Sequence, residues 1–141
     1  MFIQQISVFI ENRHGSLTDF TQLLGENGVD LIALSIADTT NFGILRAIVS
    51  DNEKTLKVVR DKGYTANLTE VLAVAVPDVP GGLAGVLQLL RDNDISVGYL
   101  YSFVRRVGND AIIIFRVDQP ERAGNLLRDK GVRLLEQDEI A

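Results

Sequence analysis

The stretch IENRHGSL, residues 10–17, returns 66 positions later as VPDVPGGL, residues 76–83. Each follows a short alternating run, Ile6-Ser7-Val8-Phe9-Ile10 in one case and Leu72-Ala73-Val74-Ala75-Val76 in the other. Each then passes through glycine into a segment with apolar residues at helical spacing. The match extends without gaps from residues 6–31 onto 72–97, placing Gly15 on Gly81, Leu17 on Leu83, Phe20 on Val86, Asn27 on Asn93 and Val29 on Ile95. Further along, the tetrapeptide RDKG at 60–63 recurs at 128–131, now at an offset of 68. The two extra residues fit the segment around Arg105 to Asp110. A shared turn and a shared tetrapeptide in the same order mark an internal repeat.

One copy is enough to read the architecture. Residues 6–10 alternate as a half-buried strand. Leu17, Phe20, Leu23 and Leu24 recur as one face of a helix, which Asn27-Gly28 stops. Residues 31–37 alternate again, Thr39-Thr40-Asn41 turns, and residues 43–49 form a third strand. Ser50 with Glu53 three residues later predicts a capping box at the start of a second helix, which Gly63 ends, and residues 65–69 supply a fourth strand. The second copy repeats this order, its helices opening at Gly82 and near Asp118-Gln119-Pro120-Glu121 and its hairpin tip at Gly108-Asn109-Asp110. The sequence thus predicts an α+β protein of two ferredoxin-like βαββαβ units, 1–68 and 69–141. Each is an antiparallel four-stranded sheet with its helices on one face. The last strand of one unit runs nearly straight into the first strand of the next.

Composition narrows the function. Of the 141 residues, 46% are hydrophobic and 23% charged, and the net charge is −5. An acidic chain whose densest basic run is Arg105-Arg106 is expected to bind neither nucleic acid nor an anionic membrane. The absence of cysteine excludes disulfides and thiolate metal sites. The opening residues lack a basic signal-peptide region, and the longest apolar run, 71–76, is far short of a membrane span. A soluble cytoplasmic protein is the expectation.

The two turns carry the strongest resemblance. Asn-Arg-His-Gly-Ser-Leu at 12–17 and Asp-Val-Pro-Gly-Gly-Leu at 78–83 resemble the ACT domain, whose first strand is followed by an Asp/Asn-x-Pro-Gly-x-Leu turn. Gly28-Val29-Asp30-Leu31 and Asp94-Ile95-Ser96-Val97 occupy the place of that family's Gly-Val/Ile-Asn-Ile at the second strand. The resemblance spans essentially the whole chain, as a tandem ACT protein with no catalytic domain. It implies a regulatory protein that senses a small molecule, most often an amino acid, to control a metabolic enzyme or transcription. It also implies a ligand held where two units lie side by side, between the first turn of one and the second-strand start of the other. Carried over residue by residue, the implied contacts are Asn12, His14, Gly15, Ser16, Leu17, Asp30 and Leu31 in copy one. In copy two they are Asp78, Pro80, Gly81, Gly82, Leu83, Ser96 and Val97. His14 stands where the family has proline, and Asp30 and Ser96 stand where it has asparagine, so the two clefts are expected to be unequal.

The residues support the same chemistry by themselves. A helix opening at Ser16 or Gly82 directs unpaired N–H groups and a positive dipole end outward, which suits a carboxylate without any cationic side chain. The glycines leave that backbone uncovered. Asn12, Asp78 or Asp30 then offers an acceptor for an ammonium group. The plainer alternative is a tight strand-to-helix turn capped by Ser16 or Asn12. His14, the single histidine, has no second metal ligand and no nucleophile, so it reads as a turn residue or a ligand contact. No metal, cofactor or catalytic residue is expected. Tyr99, Tyr101 and Phe103 share one strand face, and burial in a homodimer would account for them. Arg46 and Arg116 within the third strands receive no role. Two other classes stay open: a structural interaction module without a ligand, and an acylphosphatase-like hydrolase whose anion-binding arginine would be Arg13.

Overall fold

Chain order is β1 (Ile3–Glu11), α1 (Ser16–Glu26), β2 (Leu31–Asp38), β3 (Phe42–Val49), α2 (Asn52–Asp61), β4 (Ala66–Pro77), α3 (Gly82–Asp92), β5 (Val97–Ser102), β6 (Asp110–Val117), α4 (Pro120–Asp129) and α5 (Gln137–Ile140). These elements belong to a computed structural model that describes residues 1–38, 41–104 and 108–140. Thr39 and Thr40 of the predicted turn and the Arg105-Arg106 pair lie outside the described residues. The chain divides into two compact units, Gln4–Thr69 and Glu70–Ile140, the second including Met1–Ile3.

In the first unit the strands run in the order β2-β3-β1-β4. β3 is antiparallel to both neighbours, with Val8 opposite Leu45 and Leu45 opposite Ile36. Ile6, Val8 and Ile10 point to the face where Phe20 and Leu24 of α1 and Val59 of α2 close the core. Burial of each large apolar side chain contributes about 1.5–3 kcal/mol, and Phe20 adds an edge-to-face contact with Tyr64 at 5.5 Å.

In the second unit β6 is antiparallel to β4 and β5, and Leu72, Val74 and Val76 take the places of Ile6, Val8 and Ile10 in a core with Val86, Leu90 and Leu127. The expected fourth strand is reduced to a single bridge, Val74 to Leu134. Two hydrogen bonds hold it, Ala75 N–H to the Arg133 carbonyl at 2.9 Å and Leu135 N–H to the Ala73 carbonyl at 2.8 Å. The chain then bends into α5, a short helix with no sequence signal. Glu136 there accepts from the Met1 ammonium at 2.6 Å and pairs with Arg128, while Arg133 holds Glu139 at 2.6 Å. The hydrogen bond from the Met1 ammonium, with Arg128 beside it, holds the Glu136 carboxyl below its usual range. Glu139 is lowered by the Glu136 backbone N–H and by Arg133.

The repeat extends to individual hydrogen bonds. The Asn27 amide donates to the Leu23 carbonyl at 2.8 Å, and the Asn93 amide to Leu89 at 2.9 Å. Each closes the end of its helix. Gly28, with φ +69°, follows the first, and Asp94, with φ +57°, follows the second, in a region that L-residues enter at a cost. The RDKG copies end α2 and α4, with Gly63 and Gly131 both left-handed and both arginines reaching back over the chain that follows. Arg60 grips the Ala66 carbonyl at 2.7 Å, and Arg128 grips Glu136.

Two local expectations are corrected. The capping box at Ser50 does not form: Asp51 is the N-cap, accepting from Lys54 N–H at 3.1 Å, because Ser50 is engaged with the start of β2. The tyrosine row is less exposed than alternation suggests, since Tyr101 is buried and Tyr99 stacks on it at 6.4 Å.

Candidate functional site

Both turns are built alike. Arg13 N–H donates to the Glu11 carbonyl at 2.9 Å, Ser16 N–H to Arg13 at 3.2 Å and Asp19 N–H to Gly15 at 2.9 Å. At the same positions of the second unit, Val79 donates to Pro77 at 2.9 Å, Gly82 to Val79 at 3.0 Å and Gly85 to Gly81 at 3.0 Å. Gly15 and Gly81 are the helix N-caps at φ +85° and +83°, a conformation that requires glycine, and neither α1 nor α3 has a side-chain cap. Ser16 and Asn12 therefore do not cap α1. Ser16 sits one residue inside it.

That displacement leaves Ser16 in an unusual state. The residue is only 7% exposed, and its Oγ has no hydrogen-bond partner. A buried hydroxyl without a partner costs about 1–3 kcal/mol. The N–H groups of Leu17 and Thr18 also lack a partner among the described residues, as the first turn of an uncapped helix dictates. Ser16 lines a cavity of about 120 Å³ together with Asn12, Leu17, Ile36, Asp38 and Gly43. On its other side lies a groove of about 530 Å³ bordered by Phe9, Leu23 and Tyr64.

The strand register explains which residues meet there. Ile10 lies opposite Gly43, and Gly43 opposite Asp38, so the connected end of the β2–β3 hairpin, at Asp38 and Gly43, stands beside the α1 turn. Leu31 pairs with Val49 at the other end of the sheet. Within one unit Asp30 and Leu31 are therefore far along the strands from residues 12–17. Asp30 and Ser96 are instead fastened to the next loop in the same way. Asp30 N–H donates to Ser50 Oγ at 2.9 Å, and Ser96 N–H to Asp118 Oδ1 at 3.0 Å. Ser96 and Val97 border a hollow of about 430 Å³ with Arg91 and Asp94. In the second turn Asp78, Pro80 and Gly81 are exposed, while Leu83 packs against the core. His14 is exposed on the outer side of its turn. Arg13 is held by Glu11 at 3.2 Å and Asp19 at 3.6 Å, so its guanidinium already faces two carboxylates.

Sequence reasoning missed Ile36, Asp38 and Gly43. They carry no motif, and their place at the turn follows from hairpin register. A larger cavity of about 790 Å³ lies at the start of α4, and three of its polar side chains are committed to partners within the chain. Gln119 donates to the Asp94 carbonyl at 3.3 Å, Asn93 to Leu89 at 2.9 Å and Arg122 to Gln119 at 3.3 Å. Among the described residues no cluster of His, Asp or Glu is arranged to hold a metal ion, and no helix is long and apolar enough to cross a membrane.

Comparison with known proteins gives a consistent family. No curated protein matches the chain. A protein of Bacteroides thetaiotaomicron solved by crystallography is 38% identical over 96% of this chain and 92% of its own, with a TM-score of 0.89. The regulatory subunit of aspartate kinase from Thermus thermophilus, in its ligand-free form, shares the fold at 16% identity and a TM-score of 0.63, covering 89% of this chain and 91% of that one. Escherichia coli aspartokinase III, solved in complex with lysine and aspartate, is similar at 11% identity and a TM-score of 0.53, over 92% of this chain and 31% of the enzyme. The family described as an ACT domain pair matches residues 1–141 in full, and with both repeats and both turns in place the chain belongs to that family.

Proposed function

We propose that this ACT domain pair, with repeats 1–68 and 69–141, is a regulatory protein that binds an α-amino acid at the turn of residues 12–17. The observation that carries the reading is Ser16, a buried hydroxyl without a partner beside two unpaired N–H groups and next to a cavity. Ser16 Oγ and the Leu17 and Thr18 N–H groups donate to a carboxylate seated in the cavity. The positive end of α1 favours the same charge. Asp38 at the end of β2 and Asn12 on the turn accept from the ammonium group. The fold neighbours that are regulatory subunits of aspartate kinase support a role in controlling a metabolic enzyme. Binding favours one arrangement of the protein over others, and that population shift is the signal. A homodimer in the cytoplasm, with residues 30–31, 78–83 and 96–97 adding contacts, completes the reading.

A thermal-shift screen of the full chain against the twenty amino acids tests it. At least one should raise Tm at millimolar concentration, and the rise should shrink in Ser16→Ala and Asn12→Ala. No shift with any of them would leave an interaction module without a ligand as the better reading.

A further inference from the structure

The cavity beside Ser16 has two kinds of wall. Its rim is polar, with Ser16, Asn12 and Arg13 on the turn and Glu11 and Asp38 on the strands. Its floor is apolar: Ile10, Leu17, Ile36 and the bare backbone of Gly43. Ile36 and Leu17 are 46% and 41% exposed, unusual for large aliphatic residues facing each other across a concave surface. Ile36 stands on the helix-bearing face, opposite Leu45, yet it lies on β2, the strand at the outer end of the first unit's order.

Resting on the amino-acid reading above, we infer that the ligand is an amino acid with a short aliphatic side chain, held on the Ile10–Leu17–Ile36 floor with its ammonium group at Asp38. The size limit follows from the volume. About 120 Å³ is less than the ~150 Å³ that accommodates a benzene ring, so the cavity suits alanine or valine better than phenylalanine. The charge limit follows from the rim. Glu11, Asp38 and nearby Asp19 outnumber Arg13, which is itself paired with Glu11 and Asp19, so an acidic side chain is repelled. A basic side chain that reaches the floor finds only aliphatic carbon there, so the floor adds nothing to its binding. Gly43 sets the depth of the floor. A Cβ there would stand 3.4 Å from Ile36 Cγ2, in ordinary contact, so alanine is tolerated by the fold and takes its volume from the cavity.

Isothermal titration of the full chain with alanine, valine, leucine, phenylalanine, lysine and aspartate tests the inference, with isovalerate and isobutylamine as ligands lacking one charged group. Alanine or valine should bind most tightly, and neither single-charge analogue should bind. Gly43→Ala should weaken valine about tenfold more than alanine, the scale on which one methyl group is discriminated in an apolar pocket. Ile36→Ala, at a partly exposed position, should instead favour leucine over valine. Asp38→Asn should weaken every amino acid without changing their order. Binding of lysine, aspartate or phenylalanine in preference to valine overturns the side-chain inference while leaving amino-acid binding intact. No binding by any of the six removes both. A response to Gly43→Ala and Ile36→Ala equal for all ligands places the side chain elsewhere and also overturns the inference.

Discussion

The turns at 11–16 and 77–82 carry the same three main-chain hydrogen bonds on the same left-handed glycine, yet they differ in the room they leave at the first helical residue. Ser16 fits with its side chain buried. At Gly82 a Cβ would be driven into the Pro77 carbonyl, which is backbone and yields only if the turn shifts. A shared hydrogen-bond pattern therefore fixes the path of a turn but not the space above it. In the first unit that space holds a hydroxyl without a partner and opens on a cavity. In the second it is closed by the chain's own carbonyl.

The largest effect should come from forcing the second turn to resemble the first. Gly82→Ser should lower stability by up to about 3 kcal/mol through overpacking against backbone, read as a lower denaturant midpoint. An unchanged midpoint would show that the second turn relaxes easily and that the two are equivalent after all. Next come the glycines they share. Gly15→Ala and Gly81→Ala should each cost about 1–2 kcal/mol, the penalty for a left-handed residue with a Cβ, and the two costs should agree. A large disagreement in chemical denaturation would mean the turns are strained to different degrees.

A smaller change separates stability from function. Ser16→Ala should stabilise the free protein by about 1 kcal/mol, since it removes a buried polar atom without a partner, and should reduce the thermal response to a bound amino acid. Loss of stability on that substitution would mean that Oγ has a partner in solution. The smallest effect contrasts the two RDKG arms. Arg60 grips a carbonyl, which does not titrate, whereas Arg128 grips Glu136, whose carboxyl is held below the ordinary 4.5 first by the Met1 ammonium and then by Arg128. A lowered folded-state pKa contributes stability that is complete above the unfolded value and is lost as pH falls from about 4.5 through the folded pKa. Glu136→Gln should therefore narrow the gap in Tm between pH 6 and pH 3, while Arg60→Met should leave that gap unchanged. Equal gaps in wild type and Glu136→Gln would remove the carboxylate from the acid response.

Much of the fold was legible because its signals are local. Alternation at 6–10 and 72–76, helical spacing from Leu17 to Leu24, and glycine after each helix depend on residues a few positions apart. The second unit's missing fourth strand was not legible. Past Leu134 the chain leaves the sheet for α5, where Arg128 and Arg133 pair with Glu136 and Glu139, contacts that no propensity rule sees. Ser50 shows the same limit: its spacing to Glu53 fits a cap, but the Asp30 backbone claims it from 20 residues away.

By itself the sequence determined the repeat, the order of elements and the glycines at the two turns, since these rest on chain-local sterics and hydrogen bonding. Tertiary structure decided which polar groups were left without partners. Whether Asp38 and Ile36 stand beside Ser16 depends on strand register, which is set by packing between segments that the sequence keeps apart.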